Sequence, residues 1–280
     1  MITVIMTISC TNEELTDLTP PQIDVDSPEN GQKFAAGSVI PFEAVFTDNL
    51  RLGTYSIDIH NAFDSHGHGR KAEDPDLIKF SFKDNYELPE TTAFVAVLPE
   101  EIVVPPNTMA GPYHFIVQAI DAEGNATSYQ DGSIVELEIL ITNESMAVIE
   151  IMNLVNDELE IEASLPFTVE GTITDPPHPD LQGIEEVFIS LGEPEGESEQ
   201  DHGRKAETLY EINLEGSGLD PYYNQEGSLD ISAMIDFTLS EQELVELLAE
   251  GIEHLELKIE AHDMQGNISI EIIPVHIHID

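Results

Sequence analysis

The sequence predicts an all-β protein made of two tandem β-sandwich domains, with one short helix in the second. Three observations predict it. Apolar residues recur with a period of two, a hexapeptide and its neighbours occur twice in the same order, and 280 residues suffice for two domains with separate cores.

The strands are legible as alternation. Tyr55, Ile57 and Ile59 alternate with Ser56, Asp58 and His60, and Tyr113, Phe115, Val117 and Ala119 alternate with His114, Ile116, Gln118 and Ile120. Val135, Leu137, Ile139 and Ile141 alternate with Glu136, Glu138 and Leu140. In the second half Leu255, Leu257, Ile259 and Ala261 alternate with Glu256, Lys258, Glu260 and His262. Successive strand side chains point to opposite faces, so one apolar face marks a sheet covered on one side. Several such strands in each ~125 residues, separated by turn residues, describe a two-sheet sandwich. The helix begins at Ser240, which with Glu243 forms a capping box; Leu244, Val245, Leu247 and Leu248 give it an apolar face, and Gly251 ends it. Leu98-Pro99-Glu100-Glu101 holds the matching place in the first half, as a single turn.

The duplication rests on three matches. His68-Gly69-Arg70-Lys71-Ala72-Glu73 recurs unchanged as His202-Gly203-Arg204-Lys205-Ala206-Glu207. Ile40-Pro41-Phe42 matches Leu165-Pro166-Phe167, and Ala119 to Asn125 matches Ala261 to Asn267. The offsets are 125, 134 and 142, growing by 9 and then 8 as loop insertions would make them. The expected domains are therefore residues 20–144 and 145–280, joined at the polar break Thr142-Asn143-Glu144-Ser145.

Lys and Arg total 9 against 56 Asp and Glu, a formal charge of −47, while hydrophobic residues at 41% argue against wholesale disorder. That field repels phosphates and anionic head groups, so no nucleic-acid partner is expected. Solubility or adaptation to a saline habitat accounts for the acidity, with a ligand role for the carboxylates, which concentrate cations near the surface, as the competing reading. Four of the nine basic residues, Arg70, Lys71, Arg204 and Lys205, lie in the two hexapeptides, as local salt bridges or as the residue of a recent duplication.

Met1 to Ser9 is apolar and ends in a small residue directly before Cys10, the single cysteine, so no intrachain disulfide forms. Thr7-Ile8-Ser9-Cys10 resembles a bacterial lipobox, and Thr11-Asn12-Glu13-Glu14 resembles the surface-export signal of Bacteroidetes lipoproteins. The resemblance implies a signal segment at 1–9, cleavage before Cys10, lipidation of Cys10 and a polar tether at 10–19. It places the chain in the cell envelope as an outer-membrane lipoprotein facing outward, with the periplasmic face as the alternative. The other reading of the segment is a buried strand with an incidental thiol.

Ile59 to Gly69 holds the densest set of metal-ligating side chains. His60, Asp64, His66 and His68 supply three imidazoles and a carboxylate, the donors zinc or another divalent metal takes in a tetrahedral shell. The plainer reading is a polar, glycine-rich loop facing water. A weaker metal candidate is His254, His276 and His278. A hairpin turning at Gly266-Asn267 sets His254 across from His276, and the three suit zinc, nickel or copper. Glu193 to Asp201 lacks the ligand order of an EF-hand and reads as a solvated acidic loop. No catalytic residues are assigned: there is no Gly-x-Ser-x-Gly elbow, phosphate-binding glycine loop or His-Glu-x-x-His helix.

Gly111-Pro112-Tyr113 through Asn125 resembles the penultimate strand and final hairpin of bacterial immunoglobulin-like domains, which makes the two sandwiches immunoglobulin-like. Ile59-His60-Asn61, Phe63-Asp64 and His66-Gly67-His68 resemble the Bacteroidetes lipoprotein family called domain of unknown function 4625, over residues 10–143. That resemblance implies an outer-membrane association and no established activity. The expected function is a lipid-anchored, non-enzymatic envelope binding protein with a protein or glycan partner outside the cell and a divalent metal at the His60 loop. The alternative is a structural spacer or adhesin-type module without a small ligand.

Overall fold

The computed structural model describes residues 17–63, 74–98, 101–194, 208–249, 251–252 and 254–278. Eight strands come first: β1 (Gln22–Ser27), β2 (Lys33–Ala35), β3 (Phe42–Thr47), β4 (Leu52–Asn61), β5 (Ser81–Glu87), β6 (Ala93–Leu98), β7 (Gly111–Asp121) and β8 (Val135–Thr142). Eight more follow: β9 (Val148–Ile151), β10 (Leu159–Glu162), β11 (Gly171–Thr174), β12 (Ile184–Gly192), β13 (Thr208–Glu215), β14 (Leu229–Asp230), β15 (His254–Asp263) and β16 (Ile268–His278).

The second eight repeat the first in order and pairing. Strands β1-β3-β6 form one sheet and β2-β8-β7-β4-β5 another; β9-β11-β14 and β10-β16-β15-β12-β13 reproduce both. In each copy the short second strand pairs parallel with the last, and the other ladders are antiparallel. These are two tandem immunoglobulin-like sandwiches, the expected all-β architecture. The shared pairing scheme extends the three sequence matches across whole copies.

Each copy closes over its own apolar core. In the first, Phe42, Phe46, Tyr55 and Phe115 are buried and packed ring against ring, 4.8 to 5.9 Å between centroids. Burying each such side chain contributes about 1.5–3 kcal/mol relative to leaving it in water. Tyr113, near the start of β7, has its ring fully buried, and its hydroxyl donates to the Met109 carbonyl at 2.9 Å and accepts from the Phe80 amide at 3.3 Å, which satisfies that polar atom inside the core. The second core is mainly aliphatic, built from Val187, Ile189, Leu257, Ile259, Val275 and Phe167.

The one α-helix among the described residues, α1 (Glu241–Ala249), lies between β14 and β15. Its capping box forms as the sequence requires: the Ser240 amide donates to Glu243 Oε2 at 2.9 Å, and the Glu243 amide to Ser240 Oγ at 3.2 Å. Leu247 is buried and Leu244 packs on the core, but Val245 is 64% exposed. The expected apolar face is too wide by that residue. Position 245 lies one residue past Leu244, about 100° round the helix and away from the core. Of the single turn expected at Leu98-Pro99-Glu100-Glu101, Leu98 ends β6 and positions 99 and 100 lie outside the described residues.

Candidate functional site

Of the four residues in the predicted histidine site, His60 is described, and Asp64, His66 and His68 lie outside the described residues. So do Cys10 and both hexapeptides. His60 stands near the end of β4 on the outer face, paired in register with His114 of β7, their rings 5.4 Å apart. His60 Nδ1 lies 3.2 Å from Asp58 Oδ1, and His114 Nδ1 lies 2.9 Å from Glu136 Oε1. A carboxylate on Nδ1 fixes the imidazole and turns Nε2 outward, the arrangement metal-ligating histidines use. Burial opposes the charge on Asp58, yet hydrogen bonds from Lys83 and His60 outweigh it and hold that carboxyl below its ordinary value. His114 is not among the expected site residues, although the alternation of β7 places it on the polar face.

The weaker histidine set is partly assembled. β15 and β16 turn where expected, His254 pairs with His276, and their rings are 5.4 Å apart. His278 ends β16, in backbone register with Glu162 of β10.

The alternation of apolar and polar residues gave no hint of a third cluster, at one end of the first sandwich. Asp17 precedes β1, Asp48 follows β3 and Asp121 ends β7; each offers a carboxylate oxygen, and these lie within 4.8 Å of one another. Asp17 falls within the expected polar tether, 10–19, yet it is only 8% exposed. Its Oδ1 accepts from the Thr19 amide and from Asn49 Nδ2, both at 3.0 Å. These two donors hold its carboxyl below the ordinary value. Asp48 Oδ1 accepts from the Leu50 and Arg51 amides. Asp121 accepts from the amides of Glu123 and Asn125 and from Asn125 Nδ2. Its backbone is pressed onto a β4 bulge at Gly53, where a Cβ would stand 2.6 Å from the Asp121 carbonyl oxygen.

The duplicated positions reappear where the two sandwiches meet, with one changed. Asn143 lies five residues ahead of β9 as Asp17 lies five ahead of β1, Asp175 follows β11, and Asp263 ends β15. The local turns match: the Ser145 amide donates to Asn143 Oδ1 at 3.0 Å, and the Gln265 and Asn267 amides both donate to Asp263 Oδ1 at 2.9 Å. The β15–β16 turn is seated against the base of β7. There the Asn267 side chain is fully buried and makes four hydrogen bonds. Its Oδ1 accepts from the Ala110 amide at 2.9 Å and Asn143 Nδ2 at 2.8 Å; its Nδ2 donates to Asp263 Oδ2 at 2.9 Å and Ser145 Oγ at 3.4 Å. The Ile268 amide donates to the Ala110 carbonyl, the Asp74 amide to the Gln265 carbonyl, and Ile268 and Ile270 join the apolar core of the first sandwich. Burial pushes the Asp263 carboxyl up to about 6, against the pull of its Asn267 hydrogen bonds and with the Asp175 charge adding to the rise. Asp175 is raised by burial as well.

Among the described residues no helix is long and apolar enough to cross a membrane. Residues 8–135 match the family described as Domain of unknown function (DUF4625), the family that the His60–His68 segment resembles. No curated protein matches the chain. Among solved structures, the fibronectin(III)-like modules of CbhA from Clostridium thermocellum align with 91% of this chain and 94% of theirs, at 11% identity and a TM-score of 0.24. Dimeric latent PorU from Porphyromonas gingivalis aligns with 96% of this chain and 21% of its own, at 11% identity and a TM-score of 0.29.

Proposed function

We propose that the chain is a non-catalytic, lipid-anchored envelope module in which two immunoglobulin-like sandwiches, fixed to each other, act as a stiff spacer for binding outside the cell. The observation that carries it is Asn267. An amide has two acceptor positions and two donor hydrogens, and this one uses all four at the junction while shut off from water. Buried polar groups satisfied so fully favour one relative orientation, because any other leaves donors and acceptors unpaired. A spacer needs that property; an enzyme cleft does not. Support for the anchor comes from Cys10 after the apolar Met1–Ser9 segment, and each acyl methylene buried would add ~0.8 kcal/mol of membrane affinity. The surface of the outer membrane is the proposed location.

Two measurements test this reading. Small-angle scattering of the soluble chain should fit a single elongated particle, and a distribution of interdomain angles would defeat the spacer. Expression in a lipoprotein-processing host with radiolabelled palmitate should label the chain and leave Cys10→Ala unlabelled.

A finer reading adds a divalent transition metal at His60, with Asp64, His66 and His68 as partners. The observation favouring it is the His60–His114 pair, each ring oriented by a carboxylate. Zinc calorimetry decides: binding that persists in the double variant His60→Ala, His66→Ala defeats it.

A further inference from the structure

We propose that Asp17, Asp48 and Asp121 form a calcium site at the end of the first sandwich, clamping the segment that leads into β1. Three separate elements converge there, the lead-in to β1, the β3–β4 corner and the β7 turn, with carboxylate oxygens within 4.8 Å of each other. Two ligands on opposite sides of a calcium ion at ~2.4 Å span that same distance, and calcium prefers oxygen donors of this kind.

Acidic clusters are common in so acidic a chain. The burial of Asp17 sets this one apart. Its Oδ2 is shut off from solvent and accepts no hydrogen bond, and Asp48 Oδ2 is in the same condition. A desolvated carboxylate oxygen without a donor is costly, and two of them at one corner with a third carboxylate beside them call for a positive charge. Arg51, three residues past Asp48, does not supply it. Arg51 gives its backbone amide to Asp48 but directs its guanidinium to Glu90 and Glu123. The neighbouring donors are spent on the other oxygens: Thr19, Asn49, Leu50 and Arg51 bond Oδ1 of Asp17 or Asp48. That leaves each Oδ2 as a cation ligand.

The second copy supports the assignment by contrast. Asn143 replaces the first of the three carboxylates, and its Nδ2 donates to Asn267 and to the Thr108 carbonyl at 3.1 Å. Where the corner serves as a joint, a neutral donor stands in the position that Asp17 holds at the open end.

The experiment uses the full soluble chain, stripped with a chelator and titrated with calcium chloride by calorimetry and thermal unfolding. One ion should bind with a dissociation constant on the order of 10⁻⁴–10⁻³ M, the range of extracellular modules, and raise the melting temperature. Asp17→Asn and Asp48→Asn should each weaken binding about tenfold or more, and each should lose the calcium-induced rise in melting temperature measured against its own calcium-free value. The double variant His60→Ala, His66→Ala should respond to calcium as the parent does, which separates this site from the histidine site. Absence of a calcium response in the parent would overturn the proposal. So would an equal response to magnesium that survives both Asp variants, because that is screening of the surface charge.

Discussion

Replacing Asn267 with Ala tests the joint most directly. The substitution keeps the backbone amide that donates to Asp263 Oδ1 but removes all four side-chain hydrogen bonds. Two partners retain other bonds: Asn143 Nδ2 still reaches the Thr108 carbonyl, and Ser145 Oγ still reaches Asn143 Oδ1. Two lose what they need. The Ala110 amide is left buried without an acceptor and Asp263 Oδ2 without its donor, at about 1–3 kcal/mol each. With the small cavity left behind, the total comes to about 3–5 kcal/mol. Urea unfolding followed by circular dichroism measures it. Hydrogen exchange on peptides covering Gly111–Asp121 and Ile268–His278 should show protection lost at the junction first. The matched control is Asn125→Ala, the same turn position in the first copy, where Nδ2 bonds only Asp121. That substitution should cost about 1 kcal/mol. A loss of under ~1 kcal/mol for Asn267→Ala, equal to the control and with unchanged junction exchange, would refute the fixed joint.

Two further predictions follow from the same corner. Asp263 is held at about 6 when folded against an ordinary 3.8, so the folded state binds its proton more tightly than the unfolded chain does. Its contribution to stability is fully present below pH ~4 and is lost as the pH rises through ~6, in all about 3 kcal/mol. Carboxyl carbon chemical shifts should show a midpoint near 6 that falls in Asp175→Asn; a midpoint at or below 4 in the parent would contradict the assignment. Gly111→Ala should destabilise by about 2–4 kcal/mol in chemical denaturation, because φ there is +146° and a Cβ would stand 2.5 Å from Phe63 Cε1.

The sheet was legible where one face meets the core and the other meets water. Tyr55, Ile57 and Ile59 of β4 and Leu255, Leu257 and Ile259 of β15 alternate cleanly, and their odd-numbered faces are the buried ones. Legibility fails where both faces are covered. On the outer face of β16, Ile268 and Ile270 are buried against the first sandwich, while on β15 Glu260 and His262 are buried too, so polarity no longer marks the exterior. The acidic corner was hidden for a different reason. Its members lie 31 and 73 residues apart, and among 56 carboxylates no pair looks special until the fold brings three together. One signal was available: Thr47-Asp48 and Asp121-x-x-Gly-Asn125 both recur, as Thr174-Asp175 and Asp263-x-x-Gly-Asn267. The histidines divide along similar lines. Strand register paired His254 with His276 as expected, but the partner of His60 came from β7, outside the loop that drew attention to it.

Charge explains why one corner can be both an ion site and a joint. Three carboxylates with oxygens within 4.8 Å of one another place like charges side by side. All three pairs persist unless a cation enters. Changing one member to Asn removes two of the three pairs and leaves a single repulsion, between the positions of Asp175 and Asp263. A proton relieves what remains, which fits the direction in which both carboxyls are shifted. The same change supplies two amide hydrogens, and those reach Asn267 and Thr108 across the junction. Asp at this position therefore suits an end open to dissolved ions, and Asn suits an end closed by another domain. On this logic a duplicated sandwich needs little more than that exchange, and an apolar face such as Ile268 and Ile270, to turn an ion-binding end into a fixed joint.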